Sequence, residues 1–544
     1  IILQNNSVTI DNNAQCSTLT IQSNARVIIM DGDTLFTENL TLNTASTDTS
    51  TGQLLNYGTV LSTNESTIEK YTTSNKFNNA SSPVINSSSK TFNANNEELF
   101  FWDVSLKDYQ QINDNTTTLD VMRGYLFRNA SSDTTIIYKG AINQGEQSFN
   151  LEINIEDTLY RHWNLTGNPF AAPIDWNSTD WVKDNIANSV YFHQETSDQP
   201  CAYVNGIAIP QGCFDGIIDP MGAFWVHANN SGNLSVGKNA QISTKTSSGS
   251  SKQTIQKGIK LSISDNGSSY ETLLRFDNSA SLGFDSEYDA YHLNVPEINK
   301  SISPGLYFLE SDTNKLAINT IPESQKFRLY LGFAITNSGE HVIEASELIN
   351  FNSSIFLIDK ITGDWVDLSK TNYTFSASNG IHESRFAITT MEPVVLDDAI
   401  IIDHTSRVLS DIPERWIDSA KQNLHIGYGH TSHGSQIPTG MNALEAFFSD
   451  GTYNWSNSGG TGELHMFEGN MWSQNGYLGE DVGSIGWDEE TREYLDDYPD
   501  CNVIIWAWCG LENTVVDRDI MSHYLLPMNQ LEQEYPNVHF VYMT

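Results

Sequence analysis

Residues 424–441 read LHIGYGHTSHGSQIPTGM, and they combine an apolar strand, a polar turn and the start of a helix. Near-continuous apolar strands return as NVIIWAW at 502–508 and as HFVYM at 539–543. Helix formers with apolar positions three and four apart occupy 439–449. Strands that alternate with helices form parallel sheets, because each crossover returns the chain in the same direction. We therefore predict an α/β domain over residues 410–544.

Short strand patterns dominate the rest of the chain. KLSISDN, ETLLRFD and KFRLYLGFAI are separated by turn residues and predict a β-sandwich-like domain over 255–402. The polar Ser-rich stretch 243–254 has the composition of a flexible linker. Longer strands and aromatic loops predict a β-rich domain over 71–242, and short alternating runs over 1–70 favour stacked rungs. The predicted fold class is multidomain and mainly β, a short β-solenoid plus β-sandwich-type domains, followed by the α/β domain.

The charge balance limits the partners. The chain of 544 residues carries 67 acidic against 28 basic residues, a formal net charge of -39. Such a charge repels phosphate backbones and anionic lipid, so we expect no nucleic-acid partner. The longest apolar runs are too short for a transmembrane span, and an opening without Met or leader is expected of a processed segment. No Ca²⁺ loop of regular ligand spacing occurs, and we predict no cofactor and no metal.

The cysteine spacing leaves one pairing open. Cys201 and Cys213 flank AYVNGIAIPQG, which is able to fold back as a hairpin, so a disulfide and two separate thiols are both compatible with the sequence. Cys501 and Cys509 lie at opposite ends of one apparent strand, whose extended length of about 25 Å forbids their pairing.

An aromatic stretch at 161–178, RHWNLTGNPFAAPIDWNS, has two interpretations. Trp163, Phe170 and Trp176 could close the base of a β domain, with the Gly and Pro residues fixing the turns. Alternatively, the three rings could form a platform for sugar rings.

Two segments resemble known proteins. GTVLSTNESTIEKYTTSNKFNNASSPV at 58–84, with GNPFAAPIDW at 167–176, resembles the surface and secreted proteins of Bacteroidota, which commonly travel through the type IX secretion system. The resemblance covers roughly the first 180 residues. It implies export to the cell surface or the medium, with the secretion machinery as a partner.

The α/β domain resembles the SGNH-hydrolase superfamily of esterases and acyl hydrolases, which has a flavodoxin-like sandwich. Its nucleophilic Ser follows the first strand, as GHTSHGS follows LHIGY here, and a Gly and an Asn help to form the oxyanion hole. Carried over, Ser432 is the preferred nucleophile and Ser435 the second candidate. Gly479 in NGYLGEDVG and Asn513 in VIIWAWCGLEN would supply oxyanion donors. We expect the family's Asp-x-x-His beyond Thr544.

The match departs from the family in two places. The nucleophile block lacks the Gly-Asp-Ser pattern, and the spacing between Gly510 and Asn513 is one residue longer than usual. His430 and His433 flank Ser432 with i, i+3 spacing. They could form local hydrogen bonds in the turn, line a pocket or ligate a metal.

Three functions fit these patterns. The first is a secreted or cell-surface ester hydrolase whose substrate class is acyl groups on polysaccharide, carried by β-rich spacer or binding domains. The second is a non-catalytic adhesin or structural protein with an SGNH-like module. The third is a type IX secretion cargo whose captured segment has no chemistry of its own.

Overall fold

The computed structural model describes residues 1–544 apart from these stretches: 46–47, 94–97, 130–131, 155–161, 195–196, 244–254, 311–313, 324–326, 391–408, 410–411, 470–476, 481–485, 508–519 and 544. The chain forms two compact units, Ile1–Pro393 and Val394–Thr544. The first is built mainly from strands, and the second combines strands with helices. Among the described residues, no helix is long and apolar enough to cross a membrane.

The first unit begins with parallel rungs. Its strands are β1 (Ser7–Ile10), β2 (Ala14–Ile21), β3 (Arg26–Ile29), β4 (Thr34–Leu42), β5 (Thr44–Ala45), β6 (Asp48–Thr51), β7 (Gln53–Asn56), β8 (Thr59–Ser62) and β9 (Ser66–Thr72). β1, β3 and β7 stack in parallel as one face, and β2, β4 and β8 stack as a second. Ile21 pairs with Leu42, and Leu42 pairs with Ile68 of β9. These three side chains are fully buried, so successive rungs share one apolar column.

Residues 77–240 form several small antiparallel sheets. Their elements are β10 (Phe77–Ala80), α1 (Lys90–Asn93), β11 (Glu98–Asp103), β12 (Asp108–Gln111), β13 (Tyr125–Arg128), β14 (Thr134–Gly140), β15 (Gln147–Leu151), β16 (Trp163–Gly167), β17 (Ile174–Asp175), β18 (Trp181–Lys183), β19 (Ser189–Phe192), β20 (Cys201–Val204), β21 (Ile207–Ile209), β22 (Ile217–Ile218), β23 (Ala223–His227), β24 (Gly232–Val236) and a 3₁₀ turn, Lys238–Ala240. β14 instead pairs with β9, which joins this region to the rungs.

The aromatic residues of 161–178 are core residues. Trp163, Phe170 and Trp176 are each at most 2% exposed. A sugar platform needs an exposed ring face, so the platform interpretation is wrong. The rings close a β core because burial of their apolar surface away from water lowers the free energy of the folded chain.

An eleven-stranded sheet completes the unit. Its strands are β25 (Gly258–Asp265), β26 (Ser268–Phe276), β27 (Ala290–Tyr291), β28 (Gly305–Leu309), β29 (Lys315–Ile321), β30 (Arg328–Ile335), β31 (Gly339–Ile349), β32 (Phe356–Asp359), β33 (Asp364–Asp367), β34 (Tyr373–Ala377) and β35 (Gly380–Thr389). Residues 244–254 of the predicted linker lie outside the described residues. Strands on both sides of it share one apolar core. Trp163 Nε1 donates to Asn294 Oδ1 across 2.7 Å, and the amide of Tyr291 donates to the Tyr191 hydroxyl across 2.9 Å.

The second unit is a parallel sheet with helical crossovers. Its elements are α2 (Glu414–Asn423), β36 (His425–Gly429), a 3₁₀ turn (Ser432–Ser435), α3 (Gln436–Phe447), β37 (Trp455–Ser456), β38 (Leu464–Gly469), α4 (Trp487–Asp497), β39 (Val503–Trp506), a π-helical turn (Met521–Leu525), α5 (Leu526–Glu534) and β40 (His539–Tyr542). The strand order is β37-β38-β36-β39-β40, and every pair is parallel. Without the short β37, this order is 2-1-3-4, which opens the sequence of one common doubly wound fold.

The structure settles the pairing of Cys201 and Cys213, which the sequence left open. Ala202 pairs with Ile209 and Val204 with Ile207, so the strands fold back as an antiparallel pair. A disulfide joins Cys201 to Cys213 with a Cα–Cα distance of 5.8 Å. Cys501 is a buried free thiol.

Removing this disulfide should destabilise the first unit. The bond closes a short loop, and loss of such a cross-link restores chain entropy to the unfolded state, so we expect Cys201→Ala with Cys213→Ala to cost about 2–4 kcal/mol. Guanidinium unfolding followed by tryptophan fluorescence measures the change. Cys16→Ala, which removes a free thiol, is the control. An unfolding midpoint equal to that of the unsubstituted protein would refute the prediction.

Candidate functional site

The serine-rich turn lies at the carboxyl edge of the parallel sheet. Gly429 ends β36 and pairs with Gly469 at the end of β38 on one side and with Trp506 at the end of β39 on the other. The strand order reverses between β36 and β39, and ligands of open α/β sheets bind outside the carboxyl ends of the strands at such a switch point. The turn after β36 therefore occupies the position where this fold places its sites.

The turn holds Ser432 in an unusual backbone conformation. Ser432 has a φ of +35°, a left-handed value that costs a residue with a side chain free energy. The 3₁₀ turn that begins there runs directly into α3. The buried Tyr428 hydroxyl donates to the Gly434 carbonyl across 2.8 Å and ties the turn to the strand. Burial and, to a lesser degree, Glu468 raise the pKa of Tyr428 to about 12, so this donor keeps its proton near neutral pH.

His430 packs under the turn. Its side chain is 2% exposed, and its Nε2 lies 3.4 Å from Glu468 Oε1 on β38. Its Nδ1 is buried and has no hydrogen-bond partner among the described residues. A Cβ added to Gly434 would lie 3.0 Å from this Nδ1, so the nitrogen faces the backbone of the turn. The imidazole thus has one nitrogen directed to a carboxylate and the other facing the backbone of the turn at Gly434.

The neighbouring Thr431 repeats this pattern. Its side-chain Oγ1 is buried and unpaired within the described chain. Buried polar atoms normally have partners, and an unpaired one points to a bound molecule or to water. Two such atoms, on consecutive residues of one turn, mark this spot as a candidate ligand site.

The two serines of the turn differ in their hydrogen bonds and in their position within the turn. The Ser435 hydroxyl donates to the Ser432 carbonyl across 2.7 Å and so helps to close the turn. Ser432 itself is exposed at the first position of the turn. His433 is exposed in the same turn. The structure therefore brings together four of the residues that the sequence singled out, Ser432, Ser435, His430 and His433.

The predicted oxyanion donors are less closely tied to the turn. Gly479 follows Leu478, whose Cβ would lie 2.4 Å from a Cβ on Gly469, so this segment packs at the end of β38. The amide of Gly479 donates to Glu490 Oε2 of α4 across 2.7 Å. Asn513 lies outside the described residues.

The sequence analysis did not identify Glu468 as a site residue. It precedes Gly469 at the carboxyl end of β38, and its amide donates to Asn457 Oδ1 across 2.8 Å. A lone carboxylate in LHMFEG gives no signal by itself. Recognising it requires knowing that β38 is the parallel neighbour of β36.

The comparisons with known proteins concern the first unit. The chain belongs to the family described as a domain of unknown function (DUF8693), whose model matches residues 1–389. No curated protein and no solved structure matches the chain. The family match ends before the parallel sheet, so the candidate site rests on its own geometry.

Adding a side chain at Gly434 should disrupt the turn. A Cβ there would lie 2.3 Å from His430 Cβ, which is fixed to the backbone and cannot rotate away. We expect Gly434→Ala to destabilise the second unit by about 1–3 kcal/mol, as overpacking does. Gly440→Ala is the matched control, because the added Cβ meets nothing within 4 Å and a helical alanine gains up to about 1 kcal/mol. Calorimetric melting separates the two, and equal melting temperatures would contradict the steric argument.

Proposed function

We propose that the second unit is a flavodoxin-like serine ester hydrolase of the SGNH type, acting on acyl groups of polysaccharide. The observation that carries the proposal is the turn after β36. It combines a left-handed, exposed Ser432 with a buried His430 whose Nδ1 lacks a partner among the described residues and whose Nε2 faces Glu468. A serine hydroxyl is a weak nucleophile and needs an adjacent base that is oriented by a third group.

In the proposed reaction, Ser432 Oγ attacks the ester carbonyl carbon while its proton passes to His430 Nδ1. Glu468 holds the ring and stabilises the imidazolium that forms. When the tetrahedral intermediate collapses, the C–O bond to the alcohol breaks and the alkoxide takes the proton from His430. Water then attacks the acyl-serine by the same route and releases the acid and the free serine.

The developing oxyanion requires N–H donors at fixed positions. Gly479 and Asn513 hold these roles in the proposal, as the family resemblance implies. Gly479 must exchange its bond to Glu490 for a bond to the substrate. That bond also favours the alternative function, a non-catalytic adhesin or structural module, because it occupies a donor that catalysis needs.

The setting of the proposed enzyme is extracellular. A net charge of -39 and the resemblance of residues 58–84 and 167–176 to exported proteins of Bacteroidota support secretion or display at the cell surface. Under this proposal, the first unit is a spacer or glycan-binding module, and the type IX secretion machinery is the partner during export. Passage as a secretion cargo without chemistry is the third function, and an inactive second unit would favour it.

Hydrolysis of short-chain p-nitrophenyl esters and of acetylated glycans tests the proposal. We expect Ser432→Ala to reduce the rate to background and Ser435→Ala to change it only a few-fold, because the second hydroxyl serves the turn. His430→Gln should lower kcat by roughly 100- to 10,000-fold, as loss of a general base does. Glu468→Gln should lower kcat with little change in KM, since Glu468 acts through His430.

Each other outcome has a distinct meaning. Activity lost in Ser435→Ala and kept in Ser432→Ala would transfer the nucleophile role. Activity kept in His430→Gln would show that His430 is not the general base. A folded protein without activity on any of these esters would overturn the hydrolase proposal in favour of the non-catalytic module.

A further inference from the structure

A second cluster lies at the amino edge of the same sheet, away from the serine turn. His425 begins β36 and pairs in register with His465 of β38, so the two side chains leave the sheet next to each other. Their rings stack with centroids 3.5 Å apart. Asp500, in the turn between α4 and β39, places Oδ2 at 3.0 Å from His425 Nδ1. One potential ligand atom from each residue lies within 4.8 Å of the others.

Hydrogen bonds determine which ring nitrogen of His465 is available. Its Nε2 lies 3.1 Å from the Asn457 carbonyl oxygen. A carbonyl only accepts hydrogen bonds, so Nε2 carries the proton, and Nδ1 keeps the lone pair of the neutral ring. A Cβ added to Gly459 would lie 3.3 Å from this Nδ1, so the Gly459 backbone lies close to the nitrogen. A carbonyl bound to the far nitrogen is the usual support of a metal-ligating histidine.

His425 is held from two sides. Its Nε2 lies 2.9 Å from the Tyr494 hydroxyl of α4, which can accept a hydrogen bond as well as donate one. Its Nδ1 lies 3.0 Å from Asp500 Oδ2. An ion bound between these two atoms takes the Nδ1 lone pair of the tautomer in which Nε2 carries the proton and donates it to Tyr494. The Asp500 side chain is 75% exposed, which leaves room for water ligands and an entry path.

We propose that His425, His465 and Asp500 form a binding site for one divalent transition-metal ion of the zinc type. Two imidazole nitrogens and one carboxylate oxygen, with positions left for water, form a ligand set that suits Zn²⁺ rather than Ca²⁺ or Mg²⁺, which prefer all-oxygen sets. Bound there, the ion joins β36, β38 and the α4–β39 turn. The site is independent of the proposed hydrolase.

Zinc binding by the chelator-treated full chain tests this site. Isothermal titration with ZnCl₂ should show one equivalent bound, and Co²⁺ should give the visible absorption of a nitrogen-containing site. We expect His465→Ala and Asp500→Asn each to weaken zinc binding by more than about 100-fold, because loss of a ligand exceeds the 10- to 100-fold cost of losing its supporting group. His539→Ala, which removes an exposed histidine at the same sheet edge, should bind zinc like the unsubstituted protein.

Thermal unfolding guards against a folding defect. Asp500→Asn changes an exposed turn residue, so the variant should melt near the unsubstituted protein without metal, while zinc should raise the melting temperature of the unsubstituted protein alone. Absence of zinc binding, or binding unchanged in both ligand variants, would overturn the proposal.

Discussion

The candidate active site depends on two glycines of β36, Gly427 and Gly429, which leave room for neighbouring side chains to pack against the strand. A Cβ on Gly427 would lie 2.8 Å from Ile504 Cδ1, and one on Gly429 would lie 2.5 Å from the ring of Trp506. Because β36 is bare at both positions, the fully buried Trp506 and its neighbours pack directly on the strand. That packing fixes where β36 ends, and the end of β36 places the turn with His430 and Ser432. A larger residue at Gly427 or Gly429 would displace the turn, although it would replace none of the functional groups in the turn.

The serine turn and the proposed metal site lie at opposite edges of the same parallel sheet. β36 begins with His425 and ends with Gly429, a span of roughly 13 Å at 3.3 Å per residue. This distance is too long for a metal ion held by His425 to contact the ester bond that Ser432 attacks. Metal binding and ester hydrolysis are therefore separate properties of the second unit, and a variant of one should leave the other unchanged.

Local patterns predicted the elements well, whereas contacts between distant segments were missed. The apolar runs around Tyr428 and Ile504 predicted strands, and the stretch between Cys201 and Cys213 was compatible with the hairpin that their disulfide closes, although it left the pairing open. α3 begins at Gln436, three residues before the predicted helix, because the 3₁₀ turn feeds straight into it. The pairing of His430 with Glu468 depends on the order of strands, which no local pattern contains.

Contacts between distant segments also account for the other features that the sequence did not reveal. His425, His465 and Asp500 lie on three separate segments, so no spacing rule for metal ligands detects them. The Ser-rich composition of 243–254 predicted a linker, yet composition carries no information on whether the flanking strands pack together, as Trp163 and Asn294 do. The buried Trp163 also shows that the sequence of an aromatic stretch does not reveal whether its rings are buried or exposed.

The most direct test of the hydrolase account is covalent capture of the nucleophile. The protein is incubated with an alkyl fluorophosphonate, which phosphonylates an activated serine with loss of fluoride, and the modified peptide is sequenced by mass spectrometry. The account predicts one modification, on Ser432, that disappears in His430→Gln because the hydroxyl is then no longer activated. A folded protein that remains unmodified, or one modified at Ser435, would contradict it.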